Sequence, residues 1–169
     1  MKILVTSGSG HGFTEKDAFD AALIEAGIEN YNVIHLSSVI PNDSVIVKGK
    51  KPERNVDHWG YRLYAVYSAA YAIERGQEAW AGVGWTQDSC TRGGLFVEQR
   101  GPLESVVEGD IHNSLAHMMS LRVELHNEKN YGPVYSMTKG VVRGDLPISC
   151  ALVAALYKVE SWDGQGFFF

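Results

Sequence analysis

Lys2-Ile-Leu-Val-Thr-Ser-Gly-Ser-Gly-His-Gly12 (KILVTSGSGHG) decides between two fold classes. Residues 2–6 read as a buried strand and residues 7–12 as a glycine-rich loop. In a doubly wound α/β fold such a loop cradles a dinucleotide, but SGSGHGF lacks the G-x-G-x-x-G spacing and no second dinucleotide-binding half follows. What does follow is helical: Phe19, Ala22, Leu23 and Ala26 fall at i, i+3, i+4 and i+7, with Asp20 at the edge of this apolar stripe. Thr14 is placed to cap the start, with Asp17 three residues on, and Gly27 to end the helix. Strands are then predicted at residues 32–36, 44–47, 58–72, 79–87 and 95–100. A second helix is predicted from Pro102, in its first turn, to about residue 124, with Ile111, Leu115, Met118 and Met119 on its apolar face. Strands at 134–142 and 149–158 complete the order. Two helices separated by several strands predict an α+β fold of mostly antiparallel sheets with helices outside, in a single domain over residues 1–169.

At 169 residues and 45% hydrophobic, the chain can bury a core without disulfides or a structural metal. A formal charge of −5 argues against nucleic acid as a partner, and the basic run at residues 48–54 reads as a solvated loop. Cys90 and Cys150 show no metal-type spacing and are expected to be reduced and largely buried. His112 and His117 lack the i, i+4 spacing that puts two ligands on one helical face, so with His126 they are expected to be surface histidines and no metal is predicted. A hydrolase is disfavoured because no G-x-S-x-G turn is present. The first apolar run is too short for a signal peptide or a membrane span, which predicts a cytoplasmic protein without a membrane partner. The apolar tail, residues 162–169, is expected to pack on the chain's own surface or on a neighbour.

Residues 33–41, VIHLSSVIP, read by themselves as a strand interrupted by an ordinary turn at two serines. The runs AFDAAL at 18–23, AGI at 26–28, NVI at 32–34 and SSVIP at 37–41, in order and without gaps, resemble the pyruvoyl-dependent arginine decarboxylases, relatives of pyruvoyl-dependent histidine decarboxylase. WGY at 59–61, GLFVE at 94–98 and CALVAALY at 150–157 extend the resemblance more loosely. It implies an αββα sandwich, assembled as a homotrimer with active sites between subunits. It also implies cleavage between Ser37 and Ser38, giving a β chain of residues 1–37 and an α chain of 38–169, with a covalent pyruvoyl group made from Ser38 and no pyridoxal phosphate. The implied reaction converts L-arginine to agmatine and CO2 through a Schiff base. By the same resemblance Glu98 donates a proton and Asn32 serves processing and active-site orientation. Asp20, near the end of the first helix, holds the substrate guanidinium, and Ser37 contributes to substrate binding. A pyruvoyl decarboxylase of another amino acid, or an uncleaved binding protein on the same fold, are the alternatives.

Overall fold

Glycines 8, 10 and 12 do not form a loop. In the computed structural model, which describes residues 1–53, 55–122, 134–141 and 145–169, strand β1 runs uninterrupted over Lys2–Gly12. The three glycines line one face of that strand. A Cβ at Gly8 would stand 2.3 Å from the Ala22 carbonyl oxygen, and one at Gly10 would stand 2.3 Å from that of Ala18. Helix α1, Glu15–Ala26, therefore lies directly on the strand backbone. Only small residues fit at such a distance, so the fully buried stripe is Ala18, Ala22 and Ala26, while Phe19 and Leu23 pack at its margin. The helix bounds agree with the sequence: Thr14 Oγ1 accepts the Asp17 N–H at 3.2 Å, and Gly27 closes the helix at φ 78°.

Two sheets share the core. The larger has the order β2 (Asn32–His35), β5 (Arg62–Ala72), β9 (Ile148–Glu160), β1, β4 (Val45–Lys48). Its outer pairs, β2 with β5 and β1 with β4, are parallel, so this sheet is mixed rather than mostly antiparallel at its edges. The smaller sheet, β3 (Val39–Ile40), β7 (Gly94–Gly101), β6 (Glu78–Gln87), β8 (Val134–Val141), is antiparallel throughout. Between the sheets lie Val5, Val66, Ala81, Val83, Phe96 and Val153. Leu4, Leu63 and Leu152 point the other way, onto α1. Strand β9 is apolar at nearly every position because it is covered on both faces.

Helix α2, Glu104–Ser120, covers the smaller sheet through Val107, Ile111 and Leu115, each buried against Val97. Each contributes about 1.5–3 kcal/mol by leaving water. The result is a helix, two sheets and a helix in successive layers. Pro102 lies before the Leu103 cap rather than in the first turn of α2.

Other expectations shift locally. Residues 56–58 form a 3₁₀ turn, capped where the Asn55 side chain accepts the Asp57 N–H at 3.0 Å, and Gly60 at φ 79° then sets the start of β5 at Arg62 rather than residue 58. Cys150 is buried as expected, but Cys90 sits exposed in the turn between β6 and β7. His112 and His117 are exposed; Arg54, residue 124, His126 and residue 142 lie outside the described residues. The tail packs on its own chain. Gly166–Phe168 forms β10 on the edge of β9 beyond the β1 pairing, and Trp162 lies under the Arg62 guanidinium at 4.9 Å. Among the described residues, no helix is long and apolar enough to cross a membrane.

Candidate active site

The break in VIHLSSVIP is a change of sheet. Strand β2 is an edge of the larger sheet and β3 an edge of the smaller one, so residues 36–38 carry the chain across the sandwich. Hydrogen bonds hold both sides of the crossing: the Leu36 N–H donates to the Ala65 carbonyl at 3.0 Å, and the Ser38 carbonyl accepts the Phe96 N–H at 2.7 Å. The corner is Ser38 itself, at φ 69°. A residue with a Cβ costs about 1–2 kcal/mol in this left-handed region, so the fixed ends hold a strained residue between them.

The strain aims the side chain. Ser38 Oγ donates a hydrogen bond to Glu98 Oε1. Glu98 lies on β7 two residues past Phe96, which holds the Ser38 carbonyl, so one strand supplies both contacts. His35 Nε2 is 3.5 Å from the same carboxylate oxygen, and its ring lies against Tyr67 at 4.7 Å between centroids. On the other side of Ser38, the Tyr157 hydroxyl donates to the Val39 carbonyl at 3.0 Å. Burial pushes the Tyr157 hydroxyl pKa up, and the charge of Glu98 adds to that. Beside Glu98 opens a cleft of about 570 Å³, lined by Phe19, His35, Tyr67, Tyr71, Glu98 and Arg100.

Of the residues singled out from the sequence, Ser38 and Glu98 are brought together, and Ser37 stands exposed beside them. Asn32 is held elsewhere: its amide donates to the Gly60 carbonyl at 2.6 Å, joining β2 to the loop before β5. Asp20 is exposed in the middle of α1, not near its end, and makes no hydrogen bond or ion pair with Ser38 or Glu98. Its neighbour Phe19 reaches the cleft. Sequence reasoning missed His35, Tyr67 and Tyr157, whose only signal was aromatic side chains at strand positions that otherwise read as packing. Among the described residues, no three of His, Cys, Asp and Glu cluster in a way that could hold a metal ion.

A family model described as pyruvoyl-dependent arginine decarboxylase matches residues 2–161. The chain belongs to the pyruvoyl-dependent arginine decarboxylase family. It is similar to the pyruvoyl-dependent arginine decarboxylase of Methanothermobacter thermautotrophicus, 46% identical over 48 residues, which is 28% of this chain and 32% of that one. With the enzyme of that name from Halobacterium salinarum it shares 49% over 45 residues, 27% of this chain and 28% of the relative. The Thermococcus sibiricus protein of that name is 34% identical over 100 residues, 59% of this chain and 61% of the relative. The matched segments thus span less than two thirds of these relatives.

Membership in this family implies a covalent pyruvoyl group. The chemistry at the corner fits such a group: a serine hydroxyl already bonded to a carboxylate acceptor, on a backbone held out of its relaxed conformation.

Proposed function

We propose that this chain cuts itself between Ser37 and Ser38 and then acts as an amino acid decarboxylase, with L-arginine as substrate and agmatine and CO2 as products. The observation that carries the reading is the Ser38 hydroxyl bonded to Glu98 on a left-handed backbone. Glu98 accepts the hydroxyl proton while Oγ attacks the Ser37 carbonyl carbon. The Ser37–Ser38 C–N bond breaks, its nitrogen takes up a proton, and an ester replaces the amide. Loss of the Ser38 Cα proton then expels Ser37 as a carboxylate, and water displaces ammonia from the remaining dehydroalanine to leave a ketone. Strain in the starting turn lowers the barrier to the first step, because an amide carbonyl is a poor electrophile.

The pyruvoyl ketone supplies a carbonyl that accepts the substrate amine and takes up the electron pair released with CO2. The protein binds, orients and protonates. Glu98 returns a proton to carbon in this reading, which its bond to Ser38 and the buried Val97 and Phe96 beside it support. Asp20 offers a carboxylate for bidentate binding of a guanidinium, and Ser37 remains at the mouth of the site. Asn32 acts at a distance, by fixing the loop against which β2 enters the corner. Because Asp20 is exposed and makes no polar contact with Ser38 or Glu98 in the same protomer, the reading includes a homotrimer in which a neighbour's Asp20 completes the site.

The test is the intact mass of the purified chain followed over time, with CO2 release from a panel of amino acids. Two fragments divided at Ser37–Ser38, cleavage abolished by Ser38→Ala, and CO2 from arginine are the expected results. A single uncut chain after prolonged incubation overturns the reading, and CO2 from another amino acid with arginine inert overturns the substrate.

A further inference from the structure

Two consecutive carbonyls follow the Ser37–Ser38 bond, and they are held by different means. The Ser38 carbonyl points at β7, where the Phe96 N–H takes it at 2.7 Å. Along an extended strand, successive carbonyls point to opposite sides, so the Val39 carbonyl points away from β7. Strand β3 is the edge of its sheet and pairs only through Val39 with Leu95 and Ile40 with Gly94. Among the described residues, no strand pairs with the Val39 carbonyl. The Tyr157 hydroxyl donates to it instead, at 3.0 Å, from a residue 118 positions away on the opposite sheet.

Packing sets the position of that hydroxyl. The Tyr157 ring is 5% exposed and meets the Phe96 ring edge-on at 6.1 Å. Phe96 is the residue whose backbone holds the Ser38 carbonyl, so one core contact links the two clamps. A phenylalanine at 157 would fill the same space in the core; the hydroxyl is the part that packing does not explain. Since burial raises its pKa, with the Glu98 charge acting in the same direction, the hydroxyl remains a donor at neutral pH.

We propose that Tyr157 is a positioning residue for self-cleavage: by holding the Val39 carbonyl it fixes the Val39–Ile40 peptide plane, next to the Ser38–Val39 plane that the Phe96 N–H holds, and the two together keep Ser38 left-handed with Oγ directed to the Ser37 carbonyl carbon. The proposal rests on the self-cleavage reading above. Tyr157 makes no hydrogen bond to Ser37, Ser38 or Glu98; it acts through the backbone that follows the reacting atoms. Without the clamp, the two-residue edge strand can rotate and Ser38 can relax out of the left-handed region, which removes the alignment for attack.

The experiment follows cleavage by intact mass in the wild-type chain and in Tyr157→Phe, well below the unfolding midpoint of each. Tyr157→Phe is expected to cut about tenfold more slowly, the rate equivalent of losing about 1.4 kcal/mol of alignment. Hydroxylamine, which splits esters but not amides, reports the first step directly and is expected to release fewer fragments per unit time from the variant. A purely structural role would lower the unfolding midpoint and leave both of these rates unchanged, which would overturn the proposal. Site-specific 3-fluorotyrosine at 157 keeps the ring and a stronger O–H donor, so it is expected to cut at least as fast as the wild type even if Tyr157→Phe fails to fold; slower cutting there overturns the proposal. If the wild-type chain never cuts, the function reading falls and this one with it. If the wild type cuts and both substituted chains match it, only the role of Tyr157 falls.

Discussion

Replacing Ser38 by glycine and by alanine separates the strain at the corner from the chemistry it serves. Both variants lose the hydroxyl and its bond to Glu98, so both stay uncut and differ only at the backbone. At φ 69° the alanine pays the left-handed penalty of about 1–2 kcal/mol, and glycine does not. Glycine gives back about 0.5–1 kcal/mol through its greater freedom in the unfolded chain. The net expectation is that Ser38→Gly is the more stable by about 0.5–1 kcal/mol, or about 2 °C in unfolding midpoint for a chain of this size. Differential scanning calorimetry at matched protein concentration measures it, the match being needed because any self-association would shift both midpoints. If Ser38→Ala proves more stable than Ser38→Gly by the about 0.5–1 kcal/mol that glycine loses to chain freedom, the corner is not strained, and strain cannot be what prepares the Ser37–Ser38 bond.

Three further predictions concern the frame and the turn between β6 and β7. Gly10→Ala places a Cβ 2.3 Å from the Ala18 carbonyl oxygen and 2.4 Å from the Ala22 nitrogen, so α1 must lift; a loss of about 1–3 kcal/mol is expected in denaturant titration. Gly109→Ala in α2, which meets nothing within 4 Å, is expected to gain about 0.5–1 kcal/mol in the same assay. Asp88 Oδ1 accepts the Thr91 N–H at 2.7 Å, the Cys90 N–H at 3.0 Å and the Thr91 hydroxyl at 3.1 Å, and the first of these does most to hold its pKa below the ordinary 3.8. A lowered carboxylate pKa contributes stability above 3.8 that is lost as the pH falls through the folded value. Asp88→Asn keeps an acceptor oxygen and removes the charge, so its unfolding midpoint should lie below the wild type at neutral pH and converge with it in acid. A pH-independent gap would mean that the charge plays no part.

What could be read from the chain follows from how local each signal is. Helix α1 was legible to the residue because Thr14 and Gly27 mark its ends by chemistry that acts within one turn. Strands β5, β6, β7 and β9 were legible from runs of apolar residues bounded by turns, with ends off by a few positions. The glycines of β1 misled because glycine usually marks a loop. Their meaning lies in a pairing of two periods, every second residue on the strand and Ala18, Ala22, Ala26 at every fourth on the helix, which neither element shows alone. The Ser38–Glu98 pair spans 60 residues, and no local pattern joins them; resemblance did. Tyr157 was out of reach for the same reason, since a phenol in an apolar strand reads as core until its distant carbonyl partner is known.

The crossing at residues 36–38 also divides custody of the chain. Everything before it, β1, α1 and β2, lies in or on the larger sheet, while the chain after it opens in the smaller one. A severed Ser37–Ser38 bond would leave each new end tethered to a different sheet. Residues 1–37 would stay in place, because β1 is flanked by β9 and β4 and lies beneath α1. Under native conditions the pieces should travel as one particle and part only in denaturant. The corner then behaves as a seam: opening it makes room for a small molecule where Ser38 stood and leaves every layer of the sandwich stitched.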